Sequence, residues 1–253
     1  MQSRWLAVSW LGLATGMVYP SLDGQADWAT GKERAATPDT VRTSHGPVAL
    51  SAQVPFAELP AAVREEVRKV VEQPTLTSRG PYEEFRGQPL LYHWLLDHPD
   101  RAAAAWRKLG YPCAEITDRG DGRFGWSDKA GSDLHWDAVY ANAHMHIWYA
   151  EGAVRPGLLM PSVPVRAVVV LHHGEGSDSS GRTWLHHQAE LFMHTDSKTA
   201  AAIAKLLGPA APKAAEQCVT QLEVFFSALV RIMERRPPKS AVTAQPPATP
   251  HRN

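Results

Sequence analysis

Between Gly110 and His194 the chain reads as six short segments rich in β-branched and aromatic residues, at about 113–118, 123–128, 133–140, 144–153, 165–173 and 183–193. Gly120-Asp121-Gly122, Ala130-Gly131 and Ala141-Asn142 separate several of them. Connections of two or three residues turn a chain back on itself, so the strands they join must run antiparallel. Such a meander has an apolar face that another element has to cover. The segment 212–235 is suited to that task. Ala215, Cys218, Leu222, Phe225, Leu229 and Ile232 recur every three or four residues, and Val219, Phe226 and Met233 widen the stripe. Glu216, Glu223, Arg231 and Glu234 are expected mostly off it.

Upstream, Pro55 to Gln73 reads as a helix carrying Val63, Val67, Val70 and Val71, stopped by Pro74. Residues 75–87 read as extended. Pro89 to Asp97 is a short helix expected to turn Leu90, Leu91, Trp94 and Leu95 inward. Asp97 is placed to cap a second helix with Pro99 in its first turn, running through four alanines to Trp106 and Leu109 and ending at Gly110. A further helix is expected from Asp196 to Leu207, before Gly208-Pro209. The class is therefore α+β: a six- to seven-stranded antiparallel sheet gripped by a long C-terminal helix, with short helices before the meander.

The domain implied is 55–236. The mixed polar stretch 27–54 reads as a flexible linker, and the Pro- and Ala-rich 237–253 as a disordered tail with too little apolar surface to order itself. Residues 1–26 read as an export signal. Arg4 precedes the uncharged run Trp5 to Val18, and Gly24 and Ala26 supply the small residues that signal peptidase accepts, so cleavage is expected after Ala26. An uncleaved anchor or a buried helix is the other way to read the same run.

Apolar residues make up 44% of the 253, enough for a packed core. Lys and Arg (26) balance Asp and Glu (26), which excludes a nucleic-acid module built on a general basic field. Two cysteines cannot build a disulfide scaffold or a four-cysteine zinc site. Cys113 and Cys218 read either as a bridge between sheet and helix or as two buried thiols.

Leu91, Trp94, Leu95, Leu96 and Asp97, followed by Trp106, form a segment similar to the hydrophobic-Leu-x-Asp stretch with a downstream Trp that lies between the first two strands of the START and polyketide-cyclase-like (SRPBCC) superfamily. With the order of elements over about 75–235, the chain resembles that superfamily. The extra N-terminal helix and the break at Gly208-Pro209 depart from it. The resemblance implies a helix-grip fold whose ligands are lipids, sterols or polyketides.

Eight of the twelve histidines fall between 135 and 194. On strands, residues two apart share a face. His144 and His146, with His186, Glu190 and His194, are thus the candidate set for a metal site. Exposed or pocket-wall histidines are the bland alternative. Adjacent His172 and His173 must point to opposite faces. No specific metalloenzyme spacing is present, so no stoichiometric zinc or copper is expected and no cofactor is called for. The loop Gly176 to Thr183 resembles a phosphate loop with Arg182 in place of Lys. Glu175 and Asp178 would repel phosphate there, and a hairpin loop fits better. Asp97, Glu115, Asp137, Glu151 and Glu190 make no recognisable acid–base pair and read as caps or solvated strand residues.

The function these readings favour is an exported, non-enzymatic protein that holds a hydrophobic small molecule or lipid between sheet and C-terminal helix. The wall candidates are Trp126, Trp136, Trp148, Trp184, Phe192, Leu222, Phe225, Phe226 and Leu229, which read equally well as plain core. The apolar loop 156–164 is a pocket lip, a core plug or a contact for a membrane surface. A His-dependent metalloenzyme and a partner-binding domain without ligand are the alternatives.

Overall fold

The computed structural model describes residues 54–128, 131–155, 162–177, 179, 181–195 and 211–235. The signal, linker and tail readings, the helix expected from Asp196 and most of the loop 156–164 lie outside the described residues. Among these residues no helix is long and apolar enough to cross a membrane.

The first helical segment begins with a 3-10 turn at Phe56–Glu58 and continues as α1, Ala61–Glu72. The extended stretch becomes two short strands, β1 (Leu76–Arg79) and β2 (Glu83–Arg86). Two helices follow, α2 (Pro89–Asp97) and α3 (Pro99–Lys108). The meander comprises β3 (Thr117–Gly120), β4 (Arg123–Ser127), β5 (Asp133–Ala141), β6 (Met145–Val154), β7 (Val163–Ser177) and β8 (Thr183–His194). The last helix, α4, is Ala211–Arg235.

All eight strands form one antiparallel sheet of order β1-β8-β7-β6-β5-β4-β3, and β2 also pairs with β8. β1 and β2 lie end to end along β8: Leu76 faces Met193 and Arg79 faces Glu190, while Glu83 faces His187 and Arg86 faces Trp184. The β3–β4 turn carries positive φ at Gly120, Asp121 and Gly122, which explains two glycines in three residues. β3 begins four residues later than the expected 113. Cys113 and Ala114 instead pack partly buried against the main apolar cluster. No disulfide joins Cys113, which is half-buried, to Cys218, which is buried.

The sheet is buried on both faces. On the grip face, α4 packs on β1, β2 and β8 and against α2 and α3. Trp126, Trp136, Trp148, Leu171, Leu185 and Leu191 join Leu222, Phe225, Phe226 and Leu229 there in one apolar cluster. The back face is covered by α1. Val67, Val70 and Val71 join Val139, Ile147, Tyr149, Val168, Val170 and Phe192 in a second cluster. This is the helix-grip arrangement with a helix added behind the sheet.

Two local expectations fail. Leu90 and Trp94 face outward, 87% and 44% exposed, while Tyr92, Leu95 and Leu96 are the buried positions of α2. The helix is rolled so that the Tyr92 phenol reaches His187 on β8, and the Trp94 indole stacks on His98 at 4.8 Å. Asp97 is not the cap of α3. That position is His98, and no side chain caps the helix.

Candidate functional site

Trp126, Trp136 and Trp148 stand on β4, β5 and β6, all pointing to the grip face. Trp136 stacks with Phe124 at 5.9 Å. Trp148 lies parallel to Phe226 of α4, their planes 2° apart and their centres 6.3 Å apart. Phe226 meets Phe225 edge-on at 5.0 Å. The Trp106 indole N–H donates to the carbonyl of Phe225 at 3.1 Å, tying α3 to α4. Seven of the nine predicted wall residues, Leu222 and Leu229 among them, therefore share one surface.

Trp184 and Phe192 do not belong to it. On β8 the grip-face residues are Leu185, His187, Ala189, Leu191 and Met193, so the alternate positions face the other way. Phe192 packs in the cluster under α1. The Trp184 and His186 rings lie across Gly176 and Gly174 of β7, where a Cβ would strike them.

A cleft of about 600 Å³ opens at the β4 end of the grip face. Tyr111, Pro112, Cys113, Ala114 and Trp126 line it, with Arg107 and Asp128 at its polar margin. Trp126 is buried and belongs to the same cluster as Trp148 and Phe226, so the cleft borders the interior of the grip.

The other end of the grip face is polar. The Tyr92 phenol and His187 Nδ1 are 2.8 Å apart, His187 Nε2 lies 3.1 Å from Glu83 Oε2, and Arg231 of α4 donates to Glu83 Oε1 at 2.7 Å. Burial alone would raise the Glu83 carboxyl, but the His187 hydrogen bond and the Arg231 charge outweigh it and hold it below the ordinary range. With Glu83 ionised, Nε2 carries the imidazole proton and Nδ1 accepts from Tyr92. Burial pushes the Tyr92 phenol well up, so it stays a donor.

Beside this satisfied chain stand two histidines that are not satisfied. His146 is 3% and His173 4% exposed. His146 Nε2 and both ring nitrogens of His173 have no hydrogen-bond partner. Burial lowers His146 to about 4 and His173 to about 3, so both are neutral near pH 7. His146 stacks on Trp148 at 4.4 Å, and half-buried His93 of α2 meets His173 edge-on at 5.0 Å.

The candidate metal set is dispersed. His144 sits in the β5–β6 turn, where Asn142 Oδ1 accepts its amide at 2.8 Å. His146 faces the grip side, while His186, Glu190 and His194 share the back face. Glu190 pairs with Arg79, and His194 Nδ1 lies 2.7 Å from the Gln73 carbonyl. Among the described residues no three His, Cys, Asp or Glu side chains are placed to hold a metal ion. Tyr92, Glu83, His93, His173 and His187 were missed as a group. Strand parity places His173 with Leu171 and His187 with Leu185, and that was the usable signal.

No protein-family model matches this chain, and no curated protein matches it. Solved structures similar to it include a conserved protein from Geobacillus kaustophilus, 12% identical with a TM-score of 0.42, over 62% of this chain and 97% of that one. The di-domain ARO/CYC protein BexL is 16% identical with a TM-score of 0.34, over 68% of this chain and 54% of that one. Truncated norcoclaurine synthase from Thalictrum flavum is 12% identical with a TM-score of 0.32, over 59% of this chain and 94% of that one.

Proposed function

We propose that this protein is an exported, non-enzymatic carrier of a small hydrophobic molecule held between the sheet and α4. The observation that carries this reading is the cleft on Trp126. It brings solvent to the margin of a continuous aromatic surface, the kind of concave apolar site that binds small molecules. The parallel Trp148 and Phe226 rings continue that surface inward, and aromatic contacts of that kind contribute about 0.5–1.5 kcal/mol beyond burial.

The test is a fluorescence titration with N-phenyl-1-naphthylamine, an uncharged apolar probe. Saturable binding with quenching of tryptophan emission is expected, and Trp126→Ala should weaken it at least tenfold while leaving the fold intact by circular dichroism. Unsaturable binding, or full affinity in the variant, would remove the cleft as the entrance.

A further inference from the structure

Three imidazoles on neighbouring strands of the grip face, His146, His173 and His187, share one burial environment and differ in one respect. Both ring nitrogens of His187 are engaged by Tyr92 and Glu83. His173 has neither nitrogen engaged, and His146 leaves Nε2 free. Buried polar atoms in folded proteins are nearly always hydrogen-bonded, and each one left without a partner is destabilising. Such atoms, at diagonal positions of β6 and β7 on one face, call for a partner that the protein chain does not supply.

The chemistry of that partner follows from the groups around it. A neutral imidazole offers one donor and one acceptor. The charged or titratable groups acting on His146 are Asp97 and His93, and those acting on His173 are His93, His144, His146 and His187. Arg231, the guanidinium at this end of the face, already pairs with Glu83, and Asp97 is acidic, so an anion finds no unpaired cation among these groups. A hydroxyl both donates and accepts, and matches two such rings. His146 also lies stacked on Trp148, whose ring is parallel to Phe226. The polar end thus continues directly into the apolar surface.

We infer that His146 and His173 receive the hydroxyl group of the bound molecule, which makes this a site selective for hydrophobic alcohols or phenols over carboxylic acids of the same skeleton. The inference rests on the carrier function proposed above and names its ligand's polar end.

Three probes of one skeleton test it at pH 7: 2-naphthol, 2-methylnaphthalene and 2-naphthoate. The wild-type protein should bind 2-naphthol at least tenfold more tightly than 2-naphthoate. His146→Phe with His173→Leu should reduce the 2-naphthol affinity at least tenfold and leave 2-methylnaphthalene within twofold. If none of the three binds, the carrier reading itself falls. If all three bind equally, or the double variant keeps its preference for 2-naphthol, the hydroxyl assignment falls and the carrier reading stands. A rise in melting temperature with Zn²⁺ alone that the double variant loses would assign the imidazoles to a metal and overturn the inference. Should the double variant not fold, ¹⁵N-histidine labelling of the wild type serves instead. 2-Naphthol must shift the ring nitrogens of His146 and His173 and leave those of His194 in place; unmoved His146 and His173 signals would overturn the assignment.

Discussion

Glu223 lies within the buried surface of α4 rather than off its apolar stripe. It is 1% exposed, and Oε1 accepts the Ala189 amide at 2.6 Å while Oε2 has no partner. Burial raises its pKa to about 8, the Ala189 hydrogen bond opposes that, and nearby Glu83 adds to it. Its folded value is above the ordinary 4.5, so the folded state keeps a proton that the unfolded chain gives up. That contribution is full below pH 4.5 and is lost as pH rises towards 8. His146 and His173 act in the opposite sense. Lowered from 6.5 to about 4 and about 3, they contribute fully above 6.5 and lose that contribution as pH falls through those values. Between 4.5 and 6.5 the unfolded chain holds two extra protons on histidine against one fewer on Glu223, so stability rises with pH. Above 6.5 the carboxyl acts alone and stability falls. These three groups place a maximum near pH 6.5, which urea midpoints from pH 4 to 9 will locate. Glu223→Gln should flatten the alkaline limb; an unchanged limb would mean another group titrates there. Phe225, buried between Trp106 and Phe226, is a plain packing residue by comparison. Phe225→Ala should cost about 3–5 kcal/mol in chemical denaturation.

At the scale of elements, the break between β1 and β2 explains why that carboxylate is buried. Gly80 donates its amide to the Ala189 carbonyl at 2.9 Å and accepts from the Gln188 side chain at 3.0 Å. The Ala189 amide is then satisfied by Glu223 from α4. A Cβ on Gly80 would overlap the Glu223 carboxylate. Gly80→Ala should therefore destabilise by about 1–3 kcal/mol. The same substitution in a Glu223→Ala background should cost less, because the two sites couple; strictly additive losses in a double-mutant cycle would refute the contact. Strand existence and pairing in the meander were legible from turn spacing and β-branched runs. The inner face of α2 was not. Leu90, Leu91, Trp94 and Leu95 make an apolar pattern at helical spacing, and the Tyr92–His187 hydrogen bond, which rolls the helix by about one position, depends on a strand some ninety residues away (95 by count). Trp184 and Phe192 were misplaced as well. They are the two apolar residues on a back face otherwise made of His186, Gln188, Glu190 and His194, and strand parity with Leu185 and Leu191 separates them from the grip side.

At the scale of the molecule, the helix-grip arrangement was readable because it depends on element order: short helices, a meander, then one long amphipathic helix. The site was readable only in its apolar part. Trp126, Trp136, Trp148, Leu222, Phe225, Phe226 and Leu229 follow from hydrophobic patterning, but the polar end is assembled from α2, β2, β6, β7, β8 and α4 and shows in the sequence only through strand parity on β7 and β8. Export belongs to this scale as well. If residues 1–26 are a signal, N-terminal sequencing of protein from the native host should begin at Asp27, whereas an intact Met1 on soluble protein would rule it out. The end-to-end seating of β1 and β2 on β8 has a kinetic consequence. Each strand from β3 to β8 pairs with its neighbour in sequence, but Arg79 and Glu190 are 111 residues apart. Long loops close slowly, because chain entropy is lost before contacts form. During synthesis the segment holding β1, β2, α2 and α3 leaves the ribosome with its partner strand not yet made. Contact order favours the hairpin ladder forming before the N-terminal edge closes on it, and until that edge closes the backbone edge of β8 is open to any other extended chain that reaches it.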